Sequence, residues 1–295
     1  MKRIVSFLPA GTEIVYAVGA GELLVGRSHE CDYPPEVTAL PVVSRPTISL
    51  DGLSQAEIDS AVADRLRNGD SLYQVDEVLL RALAPDIVLT QDLCQVCAPS
   101  GTELTRALKE LPSKPNVLWL TPKTMAEIEE NILEVGVATS RTEVAESLVA
   151  HHRTRMKAVG DAVEDVPRRR VIFLEWTDPL FCGGHWVPEM ITLAGGDDPL
   201  GKSGADSERI TWDDVRNAEP ELIIVAPCGY GLGRAAELAR AMPPVAGATV
   251  YAVDANAYFA RPGPRIVEGV ELLAHLFHPA RCPWAQDHQP WLQIV

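Results

Sequence analysis

Arg3-Ile4-Val5-Ser6-Phe7-Leu8-Pro9-Ala10-Gly11-Thr12-Glu13 is the stretch on which the fold turns. Residues 3–8 form a short apolar run without alternation, the pattern of a strand covered on both faces. Pro9-Ala10-Gly11-Thr12 then opens a short helix through Ile14, Val15 and Val18, with Glu13 near its amino end and Gly19 and Gly21 closing it. The plan returns in the second half, where Arg170-Val171-Ile172 lead into Pro188-Glu189-Met190-Ile191-Thr192-Leu193-Ala194-Gly195-Gly196. A helix–proline–acid–strand joint repeats in the same order: Ala84-Pro85-Asp86-Ile87-Val88 mirrors Glu219-Pro220-Glu221-Leu222-Ile223. Two matches in one order point to a duplicated lobe.

Further apolar runs extend the pattern. Residues 4–8, 23–26, 87–90 and 117–120 are expected strands of the first half, and 171–176, 222–226 and 250–253 of the second. Helical stretches between them imply parallel crossovers, so the expected class is α/β, with two Rossmann-like lobes built on central parallel sheets. Thr124 and Glu127 have capping-box spacing ahead of Ile128, Ile132 and Val135. After a break near residues 139–141, a helix of about 20 residues, about 30 Å long, carries the chain onward as a single long backbone helix. The expected divisions are therefore 1–123 for the first lobe, 124–166 for the linking helices and 167–295 for the second lobe. Residues 51–77 read as a polar helical insertion, and His151 and His152 on the long helix as solvated.

At 295 residues and 46% hydrophobic, the chain is large enough for two cores. A formal charge of −15 argues against nucleic acid and anionic lipid as partners. No uninterrupted apolar stretch reaches membrane-spanning length, so no membrane insertion is expected. The basic start followed by an apolar run has the outline of a signal peptide, but Pro9 and Glu13 interrupt it. The expected location is cytoplasmic, or periplasmic or extracellular where a leader has been removed. A monomer is expected. Six dispersed cysteines do not make a disulfide scaffold.

Three further stretches carry a family resemblance. They are Ser6-Phe7-Leu8-Pro9-Ala10-Gly11-Thr12-Glu13, His29-Glu30-Cys31-Asp32-Tyr33-Pro34-Pro35 and Leu83-Ala84-Pro85-Asp86-Ile87-Val88. With Trp212-Asp213-Asp214-Val215 and Arg261-Pro262-Gly263-Pro264-Arg265-Ile266, the chain resembles class III substrate-binding proteins of ABC transporters, the vitamin B12 and ferric-siderophore type. Among these it is similar to the cobalamin-binding components, over residues 2–278. The resemblance implies two α/β lobes on one backbone helix, a small-molecule ligand held between them, and no catalysis. Cobalamin or a related corrinoid or metal-tetrapyrrole is the implied ligand. It also implies docking to an ABC permease through an acidic residue on each lobe, here Glu77 and Asp213. Pro46 stands near where such binders carry a stacking tryptophan, and Glu30 where they carry a contacting tyrosine.

Ligands of open parallel sheets bind beyond the carboxyl ends of the strands. In the first half this selects Pro9, Ala10, Gly11 and Thr12, whose backbone donors can receive an anion, then His29, Glu30 and Cys31, then Asp92, Cys94 and Cys97. In the second half it selects Trp176, Cys182, His185, Trp186, Cys228, Tyr230, Tyr258, Phe259 and Arg261. The rings offer flat walls for a macrocycle, with core packing as the alternative for each. Cys94 and Cys97 form a CxxC open to three readings: packed loop thiols, half of a soft-metal site, or a redox pair. A second functional reading is therefore coordination of Zn²⁺ or Fe²⁺ by Cys94, Cys97, His29 and His185, with Glu30. A third is a cytoplasmic enzyme that handles a cofactor, although no nucleophile–base pair, phosphate loop or HExxH motif supports it.

Overall fold

The computed structural model describes residues 2–50, 52–68, 70–91, 102–109 and 111–294. In chain order the strands are β1 (Ile4–Ser6), β2 (Leu24–Ser28), β3 (Val42–Pro46), β4 (Tyr73–Val75), β5 (Ile87–Thr90), β6 (Asn116–Trp119), β7 (Arg169–Thr177), β8 (Leu180–Cys182), β9 (Gly196–Asp197), β10 (Leu222–Val225), β11 (Thr249–Val253) and β12 (Trp291–Ile294). The helices are α1 (Pro9–Ala17), α2 (Gln55–Asn68), α3 (Glu77–Leu83), α4 (Thr102–Lys109), α5 (Met125–Ala138), α6 (Thr142–Val163), α7 (Val187–Leu193), α8 (Trp212–Asn217), α9 (Leu232–Ala241), α10 (Ala255–Tyr258) and α11 (Ile266–Phe277). The chain forms two compact units, Met1–Pro122 with Ala126–Ala150 and Lys123–Met125 with His151–Val295. The division falls inside α6. No helix among the described residues is long and apolar enough to cross a membrane.

The first unit holds a sheet in the order β4-β3-β2-β1-β5-β6, parallel except for β4. The second orders its strands β12-β11-β10-β7-β8, with β7, β10 and β11 parallel, β8 and β12 antiparallel, and β9 beside the start of β7. The α/β class with central parallel sheets is thus the observed architecture. Val171, Ile172, Phe173 and Leu174 are consecutive and fully buried, as a strand clothed on both faces requires. One face, through Ile172 and Leu174, joins Val215, Ile223, Val225 and Ala236 in a single core. In the first unit Val5, Phe7, Val43, Leu80, Val88 and Leu104 do the same.

The two repeated joints have one geometry. Ala84 and Glu219, each before a proline, are left-handed at φ +43° and +45°. The acid that follows turns back on the first strand of its unit. Asp86 accepts the Arg3 N–H at 2.8 Å and gives its own N–H to the Arg3 carbonyl at 2.8 Å. Glu221 accepts the Arg170 N–H at 2.9 Å and donates to the Arg170 carbonyl at 2.9 Å. That amide, helped by the Arg169 guanidinium at 2.7 Å, holds the Glu221 carboxyl below the usual range against the opposing effect of burial. The registers then agree: Ile4 faces Ile87 as Val171 faces Leu222.

The structure corrects two expectations. Among the described residues of this stretch one helix covers Gln55–Asn68; Tyr73–Val75 pairs antiparallel with β3, and Glu77 begins a separate helix. Only His151 of the helix pair is exposed; His152 lies on the inner face of α6 and is buried, and burial first, then Arg155 and His151, lowers its pKa to about 4.

The break expected near 139–141 is a tight turn between α5 and α6. Ser140 takes φ +61°, and Arg141 gives its N–H to the Gly136 carbonyl at 2.7 Å. Arg141 also reaches the Gly19 carbonyl and Glu22, tying the turn to the end of α1. A Cβ on Gly136 would stand 2.4 Å from that of Ala145. Alanine is the better helix former by about 1 kcal/mol, but overpacking two rigid positions costs about 2–3 kcal/mol. Gly136→Ala should therefore lose about 1–2 kcal/mol in urea denaturation; an unchanged midpoint would show that the two helices have room.

Candidate functional site

In the first unit the strand-end loops are welded to each other. Thr12, fully buried in α1, donates its hydroxyl to the Cys31 sulfur at 3.1 Å. Gly11 packs the same turn onto the sheet, where a Cβ would lie 3.1 Å from Ser6 Oγ and 3.2 Å from Leu89 Cβ. Pro9 has no N–H to give, and that of Thr12 is taken by the Leu8 carbonyl at 3.2 Å. Within the expected anion-receiving turn, Pro9 and Thr12 thus have no backbone donor left for an anion. Cys31, expected as a ligand thiol, is 0% exposed.

Arg27, near the end of β2, organises the next loop, a role that no motif in the sequence announces. Its guanidinium donates to the carbonyls of Ser28 at 3.0 Å, His29 at 3.3 Å, Cys31 at 3.1 Å and Thr38 at 3.1 Å. Around this hub His29 sits half-buried, 3.6 Å from Glu30. Burial lowers the His29 pKa, with Glu30 opposing. Asp92, Cys94 and Cys97 lie outside the described residues.

In the second unit, Trp176 and Tyr230 stack at 5.7 Å and 30° at the ends of β7 and β10, both half-exposed. Exposed Cys228 lies beside them and gives its N–H to the Glu175 carbonyl at 3.1 Å. Burial raises the pKa of the Tyr230 phenol, and nearby Arg234 opposes it. These three residues form an exposed group at the strand ends.

Other residues of the expected wall turn inward. Trp186 is buried and donates Nε1 to the Phe259 carbonyl at 2.9 Å. Phe259, 2% exposed, sets its ring edge-on to Phe173 at 5.3 Å. Tyr258 is buried with its hydroxyl 2.7 Å from His288 Nε2, and Arg261 is buried. The cause is local: Asp254 caps α10 by accepting the Ala257 N–H at 3.0 Å, and the short helix turns Tyr258 and Phe259 into the core. Cys182 is also a core thiol, its pKa raised by burial.

His185 is left-handed at φ +52°, with Nε2 3.3 Å from Asp206. Burial lowers its pKa and Asp206 opposes. Among the described residues no three His, Cys, Asp or Glu side chains are gathered to hold a metal ion. Glu77 pairs with Arg106 at 2.9 Å in the first turn of α3. Asp213 lies in α8, its side chain 82% exposed, behind the capping box of Thr211 and Asp214. The second unit also contains a depression of about 870 Å³ lined by Asp161, Glu164, Arg168, Glu189 and Asp197, with none of the expected ligand residues.

A family model described as periplasmic binding protein matches residues 4–242. The chain belongs to the periplasmic binding protein family. Known relatives include the vitamin B12-binding protein of Vibrio cholerae, 23% identical over 92% of this chain and 87% of the relative. An uncharacterised ABC transporter substrate-binding lipoprotein of Bacillus subtilis is 25% identical over 94% and 80%. Among solved structures, the periplasmic heme-binding protein of Pseudomonas aeruginosa superposes with TM-score 0.71, at 19% identity over 100% and 98% of the two chains. The periplasmic vitamin B12-binding protein of Vibrio cholerae gives 0.64, at 22% over 92% and 95%. As a periplasmic binding protein the chain is a carrier and not an enzyme. The expected cytoplasmic location finds no support in this family.

In this periplasmic binding protein one terminal nitrogen of Arg27 serves the carbonyls of Ser28, His29 and Cys31 while the other reaches that of Thr38, a span the single ammonium of a lysine cannot cover. Arg27→Lys should cost about 2 kcal/mol and speed amide exchange in residues 28–31. Wild-type exchange in that loop would show that the hub is dispensable.

Proposed function

We propose that this periplasmic binding protein carries cobalamin, or a related corrinoid or metal-tetrapyrrole, for an ABC importer. The observation that carries the reading is the stacked pair of Trp176 and Tyr230, half-exposed at adjacent strand ends. Two stacked aromatic side chains with few rotors suit a broad, flat, partly apolar ligand. Relatives named for vitamin B12 match most of the chain, and fold neighbours are named for heme. Both ligands are metal macrocycles. A working location outside the cytoplasm accords with the periplasmic names of the fold neighbours. Glu77 and Asp213 are the residues we assign to permease docking.

The test is a titration of the purified protein with cyanocobalamin, dicyanocobinamide and hemin, followed by visible absorbance and calorimetry. At least one should bind with a Kd of about 1 μM or tighter, about 8 kcal/mol. Replacing both Trp176 and Tyr230 by alanine should weaken that binding at least tenfold, about 1.4 kcal/mol. No saturable binding of any of the three would sink the proposal.

A further inference from the structure

Residues 180–185 and 204–210 of the second unit run antiparallel and are joined along their length. Ile210 donates its N–H to the Leu180 carbonyl at 3.0 Å, Cys182 to Glu208 at 3.1 Å, His185 to Ala205 at 2.6 Å and Gly204 to His185 at 2.9 Å. Behind this seam stands Glu175 of β7, one residue before Trp176 of the exposed stack. Its Oε1 accepts the Gly184 N–H at 3.0 Å, and its Oε2 accepts the Ser207 hydroxyl. One carboxyl group therefore grips both sides of the seam. The fit is tight, because a Cβ on Gly184 would come within 2.4 Å of the Ser207 nitrogen.

We propose that Glu175 is a positioning residue that works as a proton-operated clasp: protonated, it keeps the Gly184 N–H on one oxygen, turns the other from acceptor to donor toward the Ser207 hydroxyl oxygen, and holds residues 183–186 against residues 204–208; ionised, it lets them part. Three features support this. The carboxyl is enclosed, and burial pushes its pKa up to about 7 although the Ser207 and Gly184 hydrogen bonds pull it down. The nearby lysines are engaged elsewhere, Lys123 with Asp206 and Lys202 with Glu208, and His185, whose pKa burial lowers, faces Asp206. The remaining titratable neighbours are the Cys182 thiol, buried in β8, and Asp198 and Glu208, which act on that thiol as like charges, as Glu175 does.

The sign follows from linkage. A parted seam exposes Glu175 to water, where its pKa returns toward the ordinary 4.5. The closed form thus binds the proton more tightly. Closure is fully favoured below about pH 4.5 and weakens as pH rises through about 7, then stays level. Two and a half pKa units set a ceiling on the order of a few hundredfold on the closing equilibrium. Parting the seam would free the loop that leads into Trp186, whose ring is anchored on Phe259.

The clasp is tested without ligand, so its failure is distinct from failure of the tetrapyrrole reading. Amide exchange at Gly184 and Ser207, corrected for the intrinsic pH dependence of exchange, should show the opening equilibrium rising at least tenfold between pH 5 and pH 8. Glu175→Gln should stay closed and flat across that range, since the amide reproduces the protonated acid. Ser207→Ala removes a hydroxyl that favours the carboxylate and should move the midpoint to higher pH, which a merely structural contact would not do. A wild-type opening that ignores pH, a Glu175→Gln protein that still responds, or an unmoved midpoint in Ser207→Ala would each overturn the clasp.

Discussion

The arrangement of both units depends on a carboxylate that reaches back to an amide at the start of the first strand of its unit. Asp86 does this for Arg3, and Glu221 for Arg170. Each acid follows a left-handed residue and a proline, so the helix before it ends sharply and the next strand starts at a fixed place. Acceptance of one amide and donation to the same residue's carbonyl leave no freedom of register. In a sheet buried on both faces, a slip of one residue would exchange every side chain between two differently shaped cores. The same register decides what emerges at the far end: Leu8 and Pro9 in one unit, Glu175 and Trp176 in the other.

Much of this frame was legible in the residue string. The strands that begin at Ile87, Leu222 and Thr249 emerge within a residue or so of their apolar runs, because strands covered on both faces need nothing but apolar residues. The repeated joint was legible for a similar reason, since proline and an acid at fixed spacing have few structural uses. The edges were not. Tyr73–Val75, Leu180–Cys182 and Trp291–Ile294 are three or four residues long and contain Gln74, Cys182 and Gln293. Their position is fixed by the neighbour they pair with rather than by their own composition, so no periodicity announces them.

The site was legible as a set of loops and illegible as a set of surfaces. A strand end followed by a turn exposes some side chains and folds others under, and no period of two or 3.6 governs which. Trp176 and Tyr230 emerged; Trp186, Tyr258 and Phe259, from equivalent loops, went inside. Cys31 followed because Thr12 offers its sulfur a donor in the interior. Arg27 and Glu175 carry no signal in the sequence, since a lone charge in a strand is no motif. Their partners declare them, and those of Glu175 are 9 and 32 residues away.

These two charges solve the same problem with opposite chemistry. Each fastens a strand-end loop, Arg27 through backbone carbonyls and Glu175 through a backbone amide and a serine hydroxyl, groups that cost about 1–3 kcal/mol apiece when left buried and unpaired. Arg27 is a donor surrounded by carbonyls, and an arginine keeps its charge throughout the range in which proteins fold. Its loop, at His29–Cys31, is therefore held under all such conditions. Glu175 is an acceptor surrounded by donors, enclosed enough that its charge is lost near neutrality. A permanent fastening in one unit and a conditional one in the other follow from the choice of cation or acid at the end of a strand. A carrier that must both take up and give up its ligand has use for that asymmetry, because the unit with the titratable fastening can loosen while the other keeps its shape.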